Sequence, residues 1–213
     1  MTYTKIFLAL FMLVSLIHAI AIFFRKEQLR RITKIFIIPP LLAYYLTGTD
    51  AISILPALAL LLGWTGDILL LKLNDRLFFK LGLGAFLLGH IAYIITFVTV
   101  TGSIHFPALI ISAIIAVPYG IAAFRLIHPE KELIIPVIVY MAILETMNII
   151  GLQLFLSRMD LYGFLIFAGC LCFMVSDAIL AYFTFRTLPR YGAILIMVFY
   201  ALAQAGIIIG LMG

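Results

Sequence analysis

The chain has 213 residues, 66% of them hydrophobic and 11% charged, with a mean hydropathy of +1.27. A soluble domain carries roughly 25% charged residues, so this composition excludes a soluble globular protein and indicates an integral membrane protein. Fourteen Lys and Arg against nine Asp and Glu leave a charge of +5, but the basic residues lie in short connections between apolar runs, which excludes a nucleic-acid footprint.

Eight apolar segments follow one another, at about residues 3–24, 32–48, 51–71, 79–101, 105–125, 133–155, 161–185 and 190–212. Each is near the ~20 residues that cross a bilayer as a helix. An outer-membrane barrel would show ~10-residue segments alternating apolar and polar positions, whereas these runs are continuous. The expected fold is therefore an all-α integral membrane protein, a single domain of eight transmembrane helices. The first segment has signal-peptide features, with Lys5 ahead of it and Ala19-Ile20-Ala21 resembling a cleavage site. Cleavage would export the basic run from Arg25 to Arg31, against the positive-inside rule, so the segment is expected to stay as the first span.

The connections after spans one, three, five and seven hold Arg25, Lys26, Arg30, Arg31, Lys34, Lys72, Arg76, Lys80, Arg125, Lys131, Arg186 and Arg190. That is twelve of the fourteen basic residues, leaving Lys5 and Arg158 for the other side. The odd-numbered connections are thus expected in the cytoplasm and both termini on the opposite face. Pro40-x-x-x-Tyr44 in span two echoes Pro136-x-x-x-Tyr140 in span six. Gly66-Asp67-Ile68-Leu69-Leu70 in span three likewise echoes Ser176-Asp177-Ala178-Ile179-Leu180 in span seven. Such pairs, four spans apart, suggest two parallel four-helix repeats.

Of nine acidic residues, only Asp67, Glu145 and Asp177 fall inside spans. A carboxylate at membrane depth is costly unless it faces a partner or a water-filled cavity, which makes each a candidate functional group. His90, Tyr93, Tyr140, Asn148, Tyr200 and Gln204 nearly complete the strongly polar interior. At 1.5 Å per residue, Asp67 lies ~8 Å from Lys72, Asp177 ~13 Å from Arg186 and Glu145 ~20 Å from Glu132, in the cytoplasmic half or near the midplane. Gly63 with Asp67, Gly169 with Phe173 and Asp177, and Gly82 with Phe86, Gly89, His90 and Tyr93 form stripes whose small residues allow close helix approach. Both aspartates are expected in one wet chamber among the helices. His18, His105 and His128, near span ends, read as non-functional. Cys170 and Cys172, two apart, point to different sides of a helix and read as apolar filling. No phosphate loop, dinucleotide fingerprint or zinc-hydrolase motif occurs, and the histidines lack metal-ligand spacing, so no metal is expected.

The ordered set Gly66-Asp67, Gly89-His90-x-x-Tyr93, Ser176-Asp177-x-x-Leu180-Ala181 and Tyr200-x-x-x-Gln204, spread over eight spans, resembles the YhhN-like lysoplasmalogenase family. The resemblance covers nearly the whole chain. It implies hydrolysis of the vinyl ether bond of a lysophospholipid, the lysoplasmalogen, to a fatty aldehyde and glycerophosphoethanolamine or glycerophosphocholine. It also implies a bacterial inner-membrane location and catalytic roles for Asp67 and Asp177. A vinyl ether cleaves when a proton reaches its carbon, so such a site needs one protonated acid and one carboxylate. Asp177 is expected as the acid and Asp67 as the group that steadies the cation and activates water, as paired carboxyls do in glycosidases. His90, Tyr93, Tyr140, Tyr200 and Gln204 would orient groups, with Glu145 and Asn148 supporting from behind. Lys34, Lys72, Arg76 and Lys80 would meet the phosphate. Protons and water suffice, so no cofactor is expected, and the expected partners are the lysolipid and membrane lipids.

Two rivals use the same carboxylates. A proton-coupled small-molecule transporter would also place acids and histidine in the membrane, but needs a path open to both sides. An intramembrane aspartyl protease needs Gly-x-Gly-Asp, and Thr65-Gly66-Asp67 lacks its first glycine, while Asp177 lacks the preceding tyrosine.

Overall fold

The computed structural model describes residues 2–49, 52–72, 75–101, scattered positions between 106 and 125, 131–184 and 189–213. Secondary structure among the described residues is helical. Among the described residues, six helical stretches are long and apolar enough to cross a membrane: Thr4–Phe23, Ile54–Lys72, Arg76–Val100, Lys131–Arg158, Leu161–Thr184 and Arg190–Leu211. The chain is an integral membrane protein. The span expected at 105–125 lies largely outside the described residues, as do His105, His128 and Arg186. The helices are α1 (Thr2–Phe23), α2 (Glu27–Ile35), α3 (Ile38–Gly48), α4 (Ile54–Leu69), α5 (Arg76–Val100), α6 (Ile134–Arg158), α7 (Leu161–Thr184) and α8 (Arg190–Leu211). Contacts divide the chain into two compact units, residues 1–93 with 212 and residues 94–211 with 213.

In the first unit, the segment 32–48, expected as one span, is not one helix. It is split at Phe36–Ile37 into α2 and α3, of 9 and 11 residues. The cause is the Pro39-Pro40 pair. Proline has no N–H, so Pro39 cannot bond the Ile35 carbonyl nor Pro40 the Phe36 carbonyl, and both are tolerated only as first-turn residues of a new helix. The stranded Ile35 carbonyl accepts a hydrogen bond from the Trp64 indole Nε1 of α4, at 2.7 Å. The broken segment still runs antiparallel to α1 along its length. At one end the Thr4 hydroxyl donates to the Thr47 carbonyl at 3.3 Å, and at the other His18 Nδ1 meets Thr33 Oγ1 at 2.8 Å. These pairs lie fourteen positions apart on each strand of the pairing, about 21 Å of helix.

Asp75 opens α5, its carboxylate accepting from the backbone N–H of Leu77 at 2.9 Å and of Phe78 at 3.3 Å, as a helix N-cap does. α4 and α5 touch through glycines. A Cβ on Gly66 would stand 2.6 Å from the Phe86 ring, and one on Gly82 would stand 2.8 Å from Leu70.

The second unit is built on two antiparallel helix pairs. α6 ends at Met159 in the left-handed region, φ 52°, and Asp160 caps α7 by accepting from the Gly163 N–H at 2.7 Å. α7 and α8 pack backbone to backbone. A Cβ on Gly169 would lie 2.9 Å from the Ala203 carbonyl, one on Gly206 3.0 Å from the Leu165 carbonyl, and one on Gly210 2.6 Å from the Tyr162 carbonyl. Small residues are the membrane's means of close approach, since lipid removes the hydrophobic drive between helices. In α6, Pro136 falls in the first turn and the helix runs on unbroken, unlike its expected counterpart around Pro40.

Candidate functional site

Lys34, Asp67, His90 and Tyr93 belong to the first unit; Tyr140, Glu145, Asn148, Asp177, Tyr200 and Gln204 belong to the second.

In the first unit, Asp67 sits on the last turn of α4, and its side chain is 4% exposed. Lys34 of α2 places Nζ 3.4 Å from Asp67 Oδ1, with its own side chain 13% exposed. The break at Phe36–Ile37 makes this possible: α2 docks on α4 through the Trp64–Ile35 bond, one residue from Lys34. Lys34 was expected at a headgroup phosphate; it is instead the counter-ion of the buried aspartate. Lys72, another expected phosphate contact, has its ammonium 4.2 Å above the Phe78 ring. His90 and Tyr93 are both buried on α5, below the glycine contacts that bring α5 against α4.

His18, read from the sequence as non-functional, is buried and joined to Thr33, the neighbour of Lys34. The Thr33 hydroxyl donates to the Leu29 carbonyl at 2.7 Å, so its oxygen is left to accept, and His18 carries its proton on Nδ1. One signal could have found Trp64: an indole N–H in an apolar span needs an acceptor, and Pro39 frees a carbonyl.

In the second unit, the Tyr140 hydroxyl of α6 donates to Asp177 Oδ2 of α7 at 2.5 Å. The adjacent Ser176 hydroxyl donates to the Ile196 carbonyl of α8 at 3.0 Å, fixing the rotation of α7. One turn away, Phe173 meets Tyr200 edge to face, centroids 5.8 Å apart. Gln204 Nε2 lies 3.5 Å from the Tyr200 hydroxyl, both side chains buried. The structure thus brings together Tyr140 with Asp177, and Tyr200 with Gln204.

Glu145 and Asn148 occupy one face of α6, three residues apart. The Asn148 amide donates to the Leu144 carbonyl at 2.9 Å. Asn148 Oδ1 and Glu145 Oε1 are buried and meet no hydrogen-bond donor among the described residues. Among the described residues no group of three or more His, Cys, Asp or Glu is placed to hold a metal ion. Cys170 and Cys172 are both free thiols, and Cys170 packs against Gly151 of α6.

What the geometry offers chemically is two intramembrane carboxyl groups in unlike settings. One lies against an ammonium and one under a phenol hydroxyl. The YhhN family model matches residues 29–211, most of the chain. No curated protein matches, and no solved structure matches.

Proposed function

The chain belongs to the YhhN family, and from that premise we propose that it is a membrane-embedded hydrolase of lysoplasmalogen-type lipids. The observation that carries the reading is the unlike surroundings of its two intramembrane aspartates. Asp67 has the Lys34 ammonium 3.4 Å away, a counter-ion that suits a carboxylate. Asp177 has Oδ2 taken by the Tyr140 hydroxyl at 2.5 Å, so the transferable proton is assigned to Oδ1. Acid-catalysed cleavage of an enol ether requires one protonated carboxyl and one carboxylate; the first role falls to Asp177, beside a neutral phenol, and the second to Asp67, beside an ammonium.

In this reading Asp177 gives its proton to the vinyl carbon remote from the ether oxygen, leaving an oxocarbenium ion. The Asp67 carboxylate steadies that cation and takes a proton from the water that adds to it. The hemiacetal then collapses to a fatty aldehyde and glycerophosphoethanolamine or glycerophosphocholine, its O–H proton passing to Asp177 and the Asp67 proton to the departing glycerol oxygen, so one water is consumed and both carboxyls return to their starting states. Tyr200 and Gln204 brace the helix pair that carries Asp177, and His90 and Tyr93 lie on the helix that packs against the one carrying Asp67. The chain crosses the bacterial inner membrane eight times, the second crossing through the kinked α2–α3 pair, with odd-numbered connections cytoplasmic and both termini opposite. The Pro-Tyr and Asp echoes support a duplicated four-span half.

The test is aldehyde release by the purified protein in detergent given a 1-alkenyl lysophospholipid. Aldehyde appearing with glycerophosphodiester in equal amounts is the expected result. Proton-coupled uptake into vesicles with no aldehyde formed would mean a transporter instead.

A further inference from the structure

Hydrolysis inside a bilayer needs water where water is scarce, and α6 carries a feature suited to holding it. Glu145 and Asn148 are i, i+3 neighbours and so share a face. The Asn148 side chain is 6% exposed, and its amide hydrogen goes to the Leu144 carbonyl. That bond fixes which end of the amide is which, because the reverse assignment would set two carbonyl oxygens against each other. Oδ1 therefore points away as an acceptor, and neither it nor the buried Glu145 Oε1 meets a donor among the described residues. Buried acceptors are ordinarily satisfied, by ordered water where protein does not reach. Two unmatched acceptors on one face call for an O–H donor, water serving both oxygens and an alcohol hydroxyl one of them.

The carboxyl oxygen disfavours an anionic ligand here, and depth disfavours a headgroup. Glu145 lies about 17 Å along α6 from Ile134 and Asn148 about 21 Å, against about 9 Å for Tyr140 at Asp177. We propose that Glu145 and Asn148 form a binding site for a neutral O–H donor near the bilayer midplane, occupied by water or by the hydroxyl of a bound lysolipid. That this water is the one consumed in turnover rests on the hydrolase reading; its binding does not.

The test uses the full chain in detergent, the variants Glu145→Gln and Asn148→Leu, and infrared spectra in D2O. Gln supplies an amide donor that can satisfy Asn148 from within, and Leu removes the acceptor. The site predicts an O–D stretching band of ordered water in the parent that is lost in both variants, with melting temperatures equal to or above the parent's. Adding a 1-alkyl-2-hydroxy lysolipid but not its 2-deoxy analogue displaces the band if the lipid hydroxyl takes the site; persistence with both lipids assigns the site to water. On the hydrolase reading, the variants also lose tenfold or more in kcat. Parent and variant spectra that superimpose overturn the proposal, whether or not the protein hydrolyses any lipid. A fall of several degrees in melting temperature in both variants also overturns it, because the oxygens would then have donors within the protein.

Discussion

Lys34 and Asp67, thirty-three positions apart, meet as an ion pair at 3.4 Å with both side chains nearly closed to solvent. The pair exists because a double proline breaks the second apolar segment and turns the end of α2 against α4. Removing one member leaves a buried charge without its partner, which costs about 3–5 kcal/mol, whereas removing both with apolar replacements is often neutral. Lys34→Met is therefore predicted to lower stability by about that much, and Lys34→Met with Asp67→Leu to restore most of it. Unfolding in denaturant of the two singles and the double gives the coupling as a double-mutant cycle. Additive effects would deny the pair.

Tyr140→Phe removes only the hydroxyl that meets Asp177. A hydrogen bond to a charged group contributes about 1.5–3 kcal/mol, equivalent to roughly 10- to 150-fold in rate if it is lost at the transition state. Turnover is predicted to fall within that range with a small change in melting temperature, read by aldehyde release and thermal unfolding on the same preparations.

The glycines of the α7–α8 seam separate packing from catalysis. A Cβ on Gly169 would press on the Ala203 carbonyl and on Ile207, so Gly169→Val should cost about 1–3 kcal/mol as overpacking and reduce folded yield. Gly84 in α5 has nothing within 4 Å of the added atom, and Gly84→Ala should raise stability by about 0.5–1 kcal/mol. Midpoints of chemical denaturation distinguish the two.

Asp160 gives a pH signature outside the spans. The Gly163 N–H, then Arg158, hold its carboxyl below the ordinary value of 3.8. A depressed folded-state value adds stability that is present above the unfolded value and lost as pH falls through the folded one. Asp160→Asn should therefore flatten the loss of stability below about pH 4, measured as denaturation midpoint against pH.

The helical type of the long spans was legible because unbroken apolar runs of bilayer length are satisfied in lipid as helices; of the eight spans expected, six are long apolar helices among the described residues. The break at Phe36–Ile37 was signalled by Pro39-Pro40, whereas the capture of the freed Ile35 carbonyl by Trp64 depends on the packing of another segment. Lys34 was expected at a headgroup phosphate because it stands at a span end; the docking of α2 on α4 turns it toward Asp67. The meeting of Tyr140 and Asp177 was within reach, as both lie at similar depth from the same face on adjacent antiparallel spans. His18 was set aside for its place near a span end, yet the antiparallel run of α1 beside α2 buries it against Thr33. Glu145 and Asn148 could be placed on one face by counting, but the donors they lack are a property of the packing.

The most direct test of the proposed chemistry is hydrolysis of a 1-alkenyl lysophospholipid in D2O by the parent, Asp67→Asn and Asp177→Asn proteins, with the aldehyde trapped as it forms. The account predicts aldehyde carrying one deuterium on the carbon next to the carbonyl, and a loss of about 100-fold or more in either variant, the scale of positioned acid–base catalysis. Aldehyde without that deuterium, or an Asp177→Asn protein that turns over like the parent, would contradict it.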